Sequence, residues 1–472
     1  MIVTLIRFAL IAPSGDAGTE PTPPIGLAYL AGMCKDADID VKGIDAAGRN
    51  LNKIFKIPKY NLRGNGLEID EIIKLIDPRT KIIGISSMFS HEWPYVRDCI
   101  KLIKDNFPKV VIFAGGEHVT ALPEYCLRDC KAINYICLGE GEETWSEISK
   151  KKKEDNNFDD IAGLAYLKNN NFIKSSPRKR IEHIDNILWP DWDIFSIKPY
   201  LDNAVSFGPG SGRNMPILAS RGCPYECTFC SNPLMFGRRY YVREINDLIA
   251  QIKHYIERYR ITGLQFYDLT AIIKKDWIIA FCKALKKNNI NLEWSLPSGT
   301  RSEALDLEVI QALGSVNLKY LVYAPESGSV KTLELIKKKI KISAVEQSIK
   351  YAVSQNIVAR TNLIIGFPGE TRELIMETVS LVKKIYGYDT LTVSIFTPYR
   401  GTVLQKIAVK NGWLDHDYIT KHTTSSSALK MPPPLLSSND IDGLMRVLPL
   451  YIYFPESEWS KLRRAEKDDP KG

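Results

Sequence analysis

Three of the chain's nine cysteines fall inside one ten-residue stretch, Arg221-Gly222-Cys223-Pro224-Tyr225-Glu226-Cys227-Thr228-Phe229-Cys230. No other feature restricts the fold so tightly. Thiols spaced C-x3-C-x2-C on one loop can each take a different iron of a cubane cluster, leaving the fourth iron open to a small molecule. Structural zinc wants four ligands, and the next histidine, His254, lies far beyond Cys230. Buried packing alone explains neither the spacing nor the Gly and Pro that shape the turn.

Strand–helix repeats follow this loop. Strands are expected at Pro216–Ser220, Gly263–Tyr267, Leu292–Ser295, Tyr320–Ala324, Arg360–Ile365 and Thr390–Phe396, with helices between them. Six such repeats make an incomplete TIM-type barrel, a partial (β/α)6 fold whose carboxyl-end loops carry the chemistry. Upstream, apolar runs at Ile2–Ala12, Val41–Ile44, Ile82–Ser86, Val110–Ala114 and Tyr135–Leu138 alternate with helical stretches, among them Leu122–Asp129. That alternation predicts a parallel, doubly wound, Rossmann-like sheet. Its ligand belongs beyond the carboxyl ends of the strands, where Gly15, Ser86, Ser87, Gly115, Gly116 and Gly139 fall. The α/β chain is expected to divide into residues 1–150, Rossmann-like; 151–212, a linker with a small bridging hairpin; 213–400, the barrel; and 401–472, mainly helical.

The cysteine loop, with the aromatic Phe229 before its last thiol, resembles that of the radical S-adenosylmethionine (SAM) enzymes. Later stretches match the same family: Tyr267-Asp268, Leu296-Pro-Ser-Gly-Thr-Arg301, Ala324-Pro-Glu-Ser-Gly-Ser329 and Ile365-Gly-Phe-Pro-Gly-Glu-Thr371. The resemblance implies a [4Fe-4S] cluster on Cys223, Cys227 and Cys230. It also implies SAM contacts from Phe229, Tyr267, Asp268, Ser298, Arg301, Glu326, Ser327, Arg360, Gly366 and Pro368. The first 150 residues are similar to the cobalamin-binding domain fused to one large class of these enzymes, through Pro23-Pro-Ile-Gly-Leu-Ala-Tyr-Leu30, Gly115-Gly-Glu-His-Val-Thr120 and Gly139-Glu-Gly-Glu-Glu-Thr144. Gly15, Ser86, Ser87, Gly115, Gly116, His118, Gly139 and Glu140 are the cobalamin contacts this implies. The D-x-H-x-x-G motif that supplies a histidine beneath cobalt elsewhere is absent, and His118 is expected to cap a loop rather than to bind the metal.

The implied activity is cobalamin-dependent methylation of an unactivated carbon through a 5′-deoxyadenosyl radical. The runner-up is a radical cyclisation, rearrangement or dehydration, with or without cobalamin. A binding module with an inert cluster is the third reading, and four barrel-loop motifs would then lack a purpose. A small-molecule substrate and an electron donor such as flavodoxin or ferredoxin are the expected partners. The net charge of +8 over 472 residues is modest and comes partly from runs such as Lys150–Lys153 and Lys337–Lys339. These are expected to be solvated faces rather than a nucleic-acid track. Ile2–Ala12 carries Arg7 in its middle and lacks a basic leader, so it reads as a buried strand rather than a signal peptide. No run is long enough for a membrane helix. Unpaired cysteine spacing points to a reducing, cytoplasmic setting.

Overall fold

The computed structural model describes residues 1–14, 21–35, 37, 39–151, 157–206, 210, 212–385, 390–414, 431 and 435–468. Gly15 lies outside the described residues, as does part of the Lys150–Lys153 run. The chain forms two compact units. The first holds Met1–Pro216, Arg221–Cys223 and Ser231–Thr262; the second holds Ile217–Ser220, Pro224–Cys230 and Gly263–Gly472.

The first unit is built on β1 (Ile2–Arg7), β2 (Leu10–Pro13), β3 (Asp40–Asp45), β4 (Ile54–Ile57), β5 (Leu62–Asn65), β6 (Thr80–Ser86), β7 (Val111–Gly115), β8 (Tyr135–Cys137), β9 (Leu164–Lys168) and β10 (Asn171–Lys174). Seven of these form one sheet in the order β10-β9-β8-β7-β6-β1-β3. Pairing is parallel from β3 to β8. Val3, Leu5, Ile6, Ile83, Ile112, Phe113 and Ile136 are buried along it, as in strands covered by helices on both faces. Strand order reverses at β1, with β3 on one side and β6 on the other, so a ligand crevice belongs at the carboxyl ends of β1 and β6.

Four expectations for this unit change. Ile2–Ala12 is two strands, because Arg7 ends β1 by ion-pairing with the buried Asp45 at 2.7 Å. After Phe8-Ala9 the chain enters β2, which joins β4 and β5 in a separate antiparallel sheet; β4 and β5 were not anticipated. The Leu122–Asp129 stretch is preceded by a helix of its own, Glu117–Ala121, and the second helix starts at Pro123, where proline's missing N–H costs nothing. Finally, the hairpin does not bridge: β9 pairs antiparallel with β8 through Ile136 and Ala165, extending the sheet.

The remaining strands are β11 (Asn214–Ile217), β12 (Ser220–Arg221), β13 (Tyr241–Val242), β14 (Gly263–Phe266), β15 (Glu293–Thr300), β16 (Leu318–Glu326), β17 (Val358–Ile365) and β18 (Thr390–Ile395). β12 and β13 form a short ladder, and the others form one sheet in the order β11-β14-β15-β16-β17-β18. Register is parallel from β14 onward, giving the six-stranded wall of a partial barrel. β15 and β16 outrun their expected ends, so Ser298 and Glu326 are strand residues rather than loop residues. The expected Pro216–Ser220 strand stops at Ile217, where the chain turns toward the cysteines. Helices Val403–Lys410 and Ser438–Tyr453 bury Leu404, Ala408, Ile441, Leu444 and Tyr451 against Ile365, Phe367, Ile375 and Val379.

Candidate active site

Within the second unit, backbone bonds set the middle of the cysteine loop. Thr228 N–H donates to the Ile336 carbonyl at 2.9 Å, Leu404 N–H to the Thr228 carbonyl at 3.0 Å, and Cys230 N–H to the Cys227 carbonyl at 3.1 Å. Phe229 stacks on Phe367 with centroids 5.5 Å apart, and the Arg301 guanidinium lies 3.6 Å over the Tyr225 ring. Cys223, Cys227 and Cys230 are half-buried, whereas the other six cysteines are buried. Burial pushes Cys34 up to about 11 and Cys99, Cys137 and Cys282 up to about 12, so those thiols resist forming the thiolate that binds metal. Among the described residues, no three Cys, His, Asp or Glu side chains converge as a ready-made metal site. The loop presents its three thiols separately.

The barrel strands bring several expected residues to the same end. Glu326, the last residue of β16, sits at φ 69°, a strained position for a residue with a side chain. Its carboxylate meets Lys338 Nζ at 2.9 Å, with both side chains under one-tenth exposed. Burial alone would depress the Lys338 ammonium, but Glu326, and after it Cys227, hold it above the usual lysine range. Arg301, also buried, donates to Glu303 at 2.7 Å and to the Lys339 carbonyl. Buried polar atoms without a partner include Thr228 Oγ1 in the loop, Arg301 Nε on the side chain over Tyr225, Ser302 Oγ next to it in sequence and Ser329 Oγ just past Glu326. Groups orphaned in this way fit an enclosed polar ligand.

Other expected contacts are already committed elsewhere. Asp268 is buried and accepts from Ala219 N–H at 3.1 Å and from the Ser220 hydroxyl; burial pushes its carboxyl up to about 6 against those bonds. It therefore ties down the strand end that leads into the loop. The Ser327 hydroxyl is engaged with Thr378 at 2.9 Å. The Gly366 and Phe367 N–H groups donate to Glu370 at 2.7 and 3.2 Å, which shapes the turn that also buries Pro368. Tyr267 N–H donates to the Ile217 carbonyl at 2.9 Å, and Ser298 is half-buried. Arg360 is misplaced for the role expected of it. It is the third residue of β17, roughly 16 Å of strand from the carboxyl end, and its guanidinium bonds Thr392 and Tyr320 on the neighbouring strands.

In the first unit, Ser86 and Ser87 close β6 at the strand reversal. The buried Ser87 hydroxyl has no partner, and Met88 and Phe89 beside it are 42% and 51% exposed. An orphan hydroxyl next to exposed apolar side chains fits a large, mostly apolar ligand at this crevice. Gly115 has room for a side chain, since an added Cβ would stand 3.7 Å from Cys137. At Gly116 the close approach is the chain's own, because an added Cβ would lie 2.5 Å from the Ser87 carbonyl. Gly139 faces the Met235 carbonyl in the same way, at 3.2 Å. His118 is buried, with Nδ1 2.9 Å from Ser90 Oγ and Nε2 3.5 Å from Cys126 Sγ. Both of its ring nitrogens are thus within reach of side chains of the same unit. Glu140 belongs to an ion-pair group: Arg180 at 2.6 Å and Arg221 at 3.4 Å.

Sequence reasoning missed Lys338, which it placed on a solvated face with Lys337 and Lys339. It also missed Arg221, whose guanidinium reaches Glu142 at 2.5 Å and lies 5.2 Å over the Tyr29 ring. Charge spacing held no signal for either.

Residues 217–382 match the radical SAM superfamily and residues 17–149 the B12 binding domain. An uncharacterized methyltransferase of Pyrococcus horikoshii is 30% identical over 95% of this chain and 93% of its own length. An anaerobic magnesium-protoporphyrin IX monomethyl ester cyclase of Cereibacter sphaeroides is 24% identical over 93% of this chain and 69% of its own. The radical S-adenosylmethionine methyltransferase TsrM of Kitasatospora setae shares the fold, with a TM-score of 0.65 and 15% identity over 91% of this chain and 79% of that one.

Proposed function

The chain belongs to the radical SAM enzymes that carry a B12 binding domain, and from that premise we propose that it is a cobalamin-dependent C-methyltransferase acting on a small molecule. When bound, the [4Fe-4S] cluster with SAM supplies a 5′-deoxyadenosyl radical, and cobalamin supplies a methyl carrier. Cys223, Cys227 and Cys230, the chain's only cysteines that are not buried, would hold the cluster. The orphaned polar atoms Thr228 Oγ1, in that loop, and Arg301 Nε, on the side chain that stacks over Tyr225, are the observation that carries the reading, since they ask for a polar ligand there.

Glu326 and Lys338 form a buried plus–minus pair that matches a ligand carrying both an ammonium and a carboxylate. Arg301 and Ser298 would line the same end of the barrel, and the Gly366–Pro368 turn, fixed by Glu370, would present its backbone. Asp268 would act by holding the loop in place. In the first unit, Ser86, Ser87 and Gly115 with Met88 and Phe89 would receive the corrin. Reducing equivalents would come from a flavodoxin- or ferredoxin-like donor.

The P. horikoshii relative's name and the fold shared with a methyltransferase support methyl transfer; the cyclase relative favours the rival, a radical ring closure. The test is anaerobic reconstitution with iron, sulfide and hydroxocobalamin, followed by metal analysis. About four irons and one cobalt per chain are expected, with 5′-deoxyadenosine formed under strong reductant. Cys223→Ala should lose both the iron and the 5′-deoxyadenosine. Iron without cobalt, or turnover without methylated product, would hand the function to the cyclase class.

A further inference from the structure

The three motifs that resemble cobalamin loops meet the flanks of the cysteine loop. Tyr29, from Pro23–Leu30, lies under the Arg221 guanidinium. Glu140 and Glu142, from Gly139–Thr144, ion-pair with it. From Gly115–Thr120, the helix Glu117–Ala121 packs on the short helix Asn232–Met235, which directly follows Ser231. Arg221 lies two residues before Cys223 and Ser231 directly follows Cys230. All these flanking residues belong to the first unit, so none of these contacts depends on how the two units are arranged.

The Arg221 contacts are costly to leave half-made. Arg221 and Glu142 are each under one-tenth exposed. Burial pushes the Glu142 carboxyl up, but Arg221, with Glu142's own N–H and Arg180, more than offsets this and leaves it below the usual range. Glu142 Oε2 still has no partner. The first turn of the loop is also fixed from the same side: Gly222 sits at φ 83°, and a Cβ there would be 2.1 Å from the Arg239 carbonyl.

We propose that Arg221, as a positioning residue, and the helix Asn232–Met235 couple occupancy of the cobalamin site to retention of the iron–sulfur cluster. The proposal rests on the cofactor assignment above. A ligand that holds the segments bearing Tyr29, Glu140 and Glu142 and the helix Glu117–Ala121 also holds the partners of both loop flanks, so the two binding events share one set of contacts. Coupling of this kind is reciprocal: the factor by which cobalamin favours the cluster is the factor by which the cluster favours cobalamin.

The test is the rate of iron release to bathophenanthroline from the anaerobically reconstituted full chain, with and without bound hydroxocobalamin. The wild type should release iron about five- to a hundredfold more slowly when cobalamin is bound. Glu142→Gln and Arg221→Gln should bring that ratio toward one while absorbance still shows bound cobalamin. Equal wild-type rates with both cofactors bound would overturn the coupling alone. Variants that speed release equally in both states would show a merely structural clamp and also overturn it. A wild type that takes up iron but no cobalamin would remove the cofactor assignment and the coupling with it.

Discussion

Replacing Lys338 with methionine removes the ion-pair partner of the buried Glu326. Both side chains are under one-tenth exposed and 2.9 Å apart, so solvent screening offers little relief. Breaking a buried pair from one side costs about 3–5 kcal/mol. For a unit of this size each kcal/mol moves the melting temperature by about 2–4 °C, so Lys338→Met should lower the second unit's transition by about 6–20 °C. Adding Glu326→Gln removes the stranded charge and should restore most of that loss, leaving a coupling of about 2 kcal/mol or more in the double-mutant cycle. Calorimetry of the cluster-free protein measures all four corners. A single variant melting within about 2 °C of wild type, or additive single losses, would mean that Glu326 reaches water and that the pair is not enclosed.

Three further outcomes are expected. Gly222→Ala, with its Cβ 2.1 Å from the Arg239 carbonyl, should retain less than about half the wild-type iron after reconstitution, while Gly237→Ala, also at positive φ but in open space, should lose only about 1 kcal/mol of stability; iron assays and melting curves compare them. Burial pushes Glu370 up to about 7, so its folded form holds a proton that the unfolded chain releases near 4. Its stabilising contribution is full below about 4 and lost as pH rises through about 7, and Glu370→Gln should flatten the fall in melting temperature between pH 5 and 8. Glu326→Gln should weaken SAM binding to the reconstituted enzyme at least about tenfold, whereas Arg360→Gln, at the far end of β17, should change it less than about twofold; calorimetric titration separates the two, and equal losses would return Arg360 to the site.

Periodicity made both sheets legible: strands of the first, such as Val111–Gly115, are buried apolar runs, and strands of the second, such as Val358–Ile365, alternate buried with less buried positions. Val111–Gly115 and Val358–Ile365 fall within two residues of their expected bounds. β4 and β5 were lost because each is only four residues long: β4, Ile54–Ile57, is a half-exposed edge, and β5, Leu62–Asn65, lies between β2 and β4 with a single large apolar residue. The early end of β1 was hidden for a different reason: Arg7 reads as an interruption in an apolar run until Asp45, far along the chain, is seen to take its charge.

The site shows the same division more sharply. Spacing within one loop identifies the three thiols, since their chemistry is local. Lys338 and Arg221 sit in charged or turn-like surroundings, and what removes each from water is a partner distant in sequence: Glu326 for one, Glu140 and Glu142 for the other. The motifs that were legible were also assigned too narrowly. Glu140 and Glu142 match a cofactor loop, yet each places its carboxylate on the arginine beside the cysteines. Gly139 gives its free space to Met235, just past them. A motif marks where a backbone must approach something closely; whether that something is a ligand or another segment of the same chain is decided by the fold. Here the same short loops do both jobs in the proposed enzyme, and for that reason the chelation experiment on Glu142→Gln tests more than a surface salt bridge.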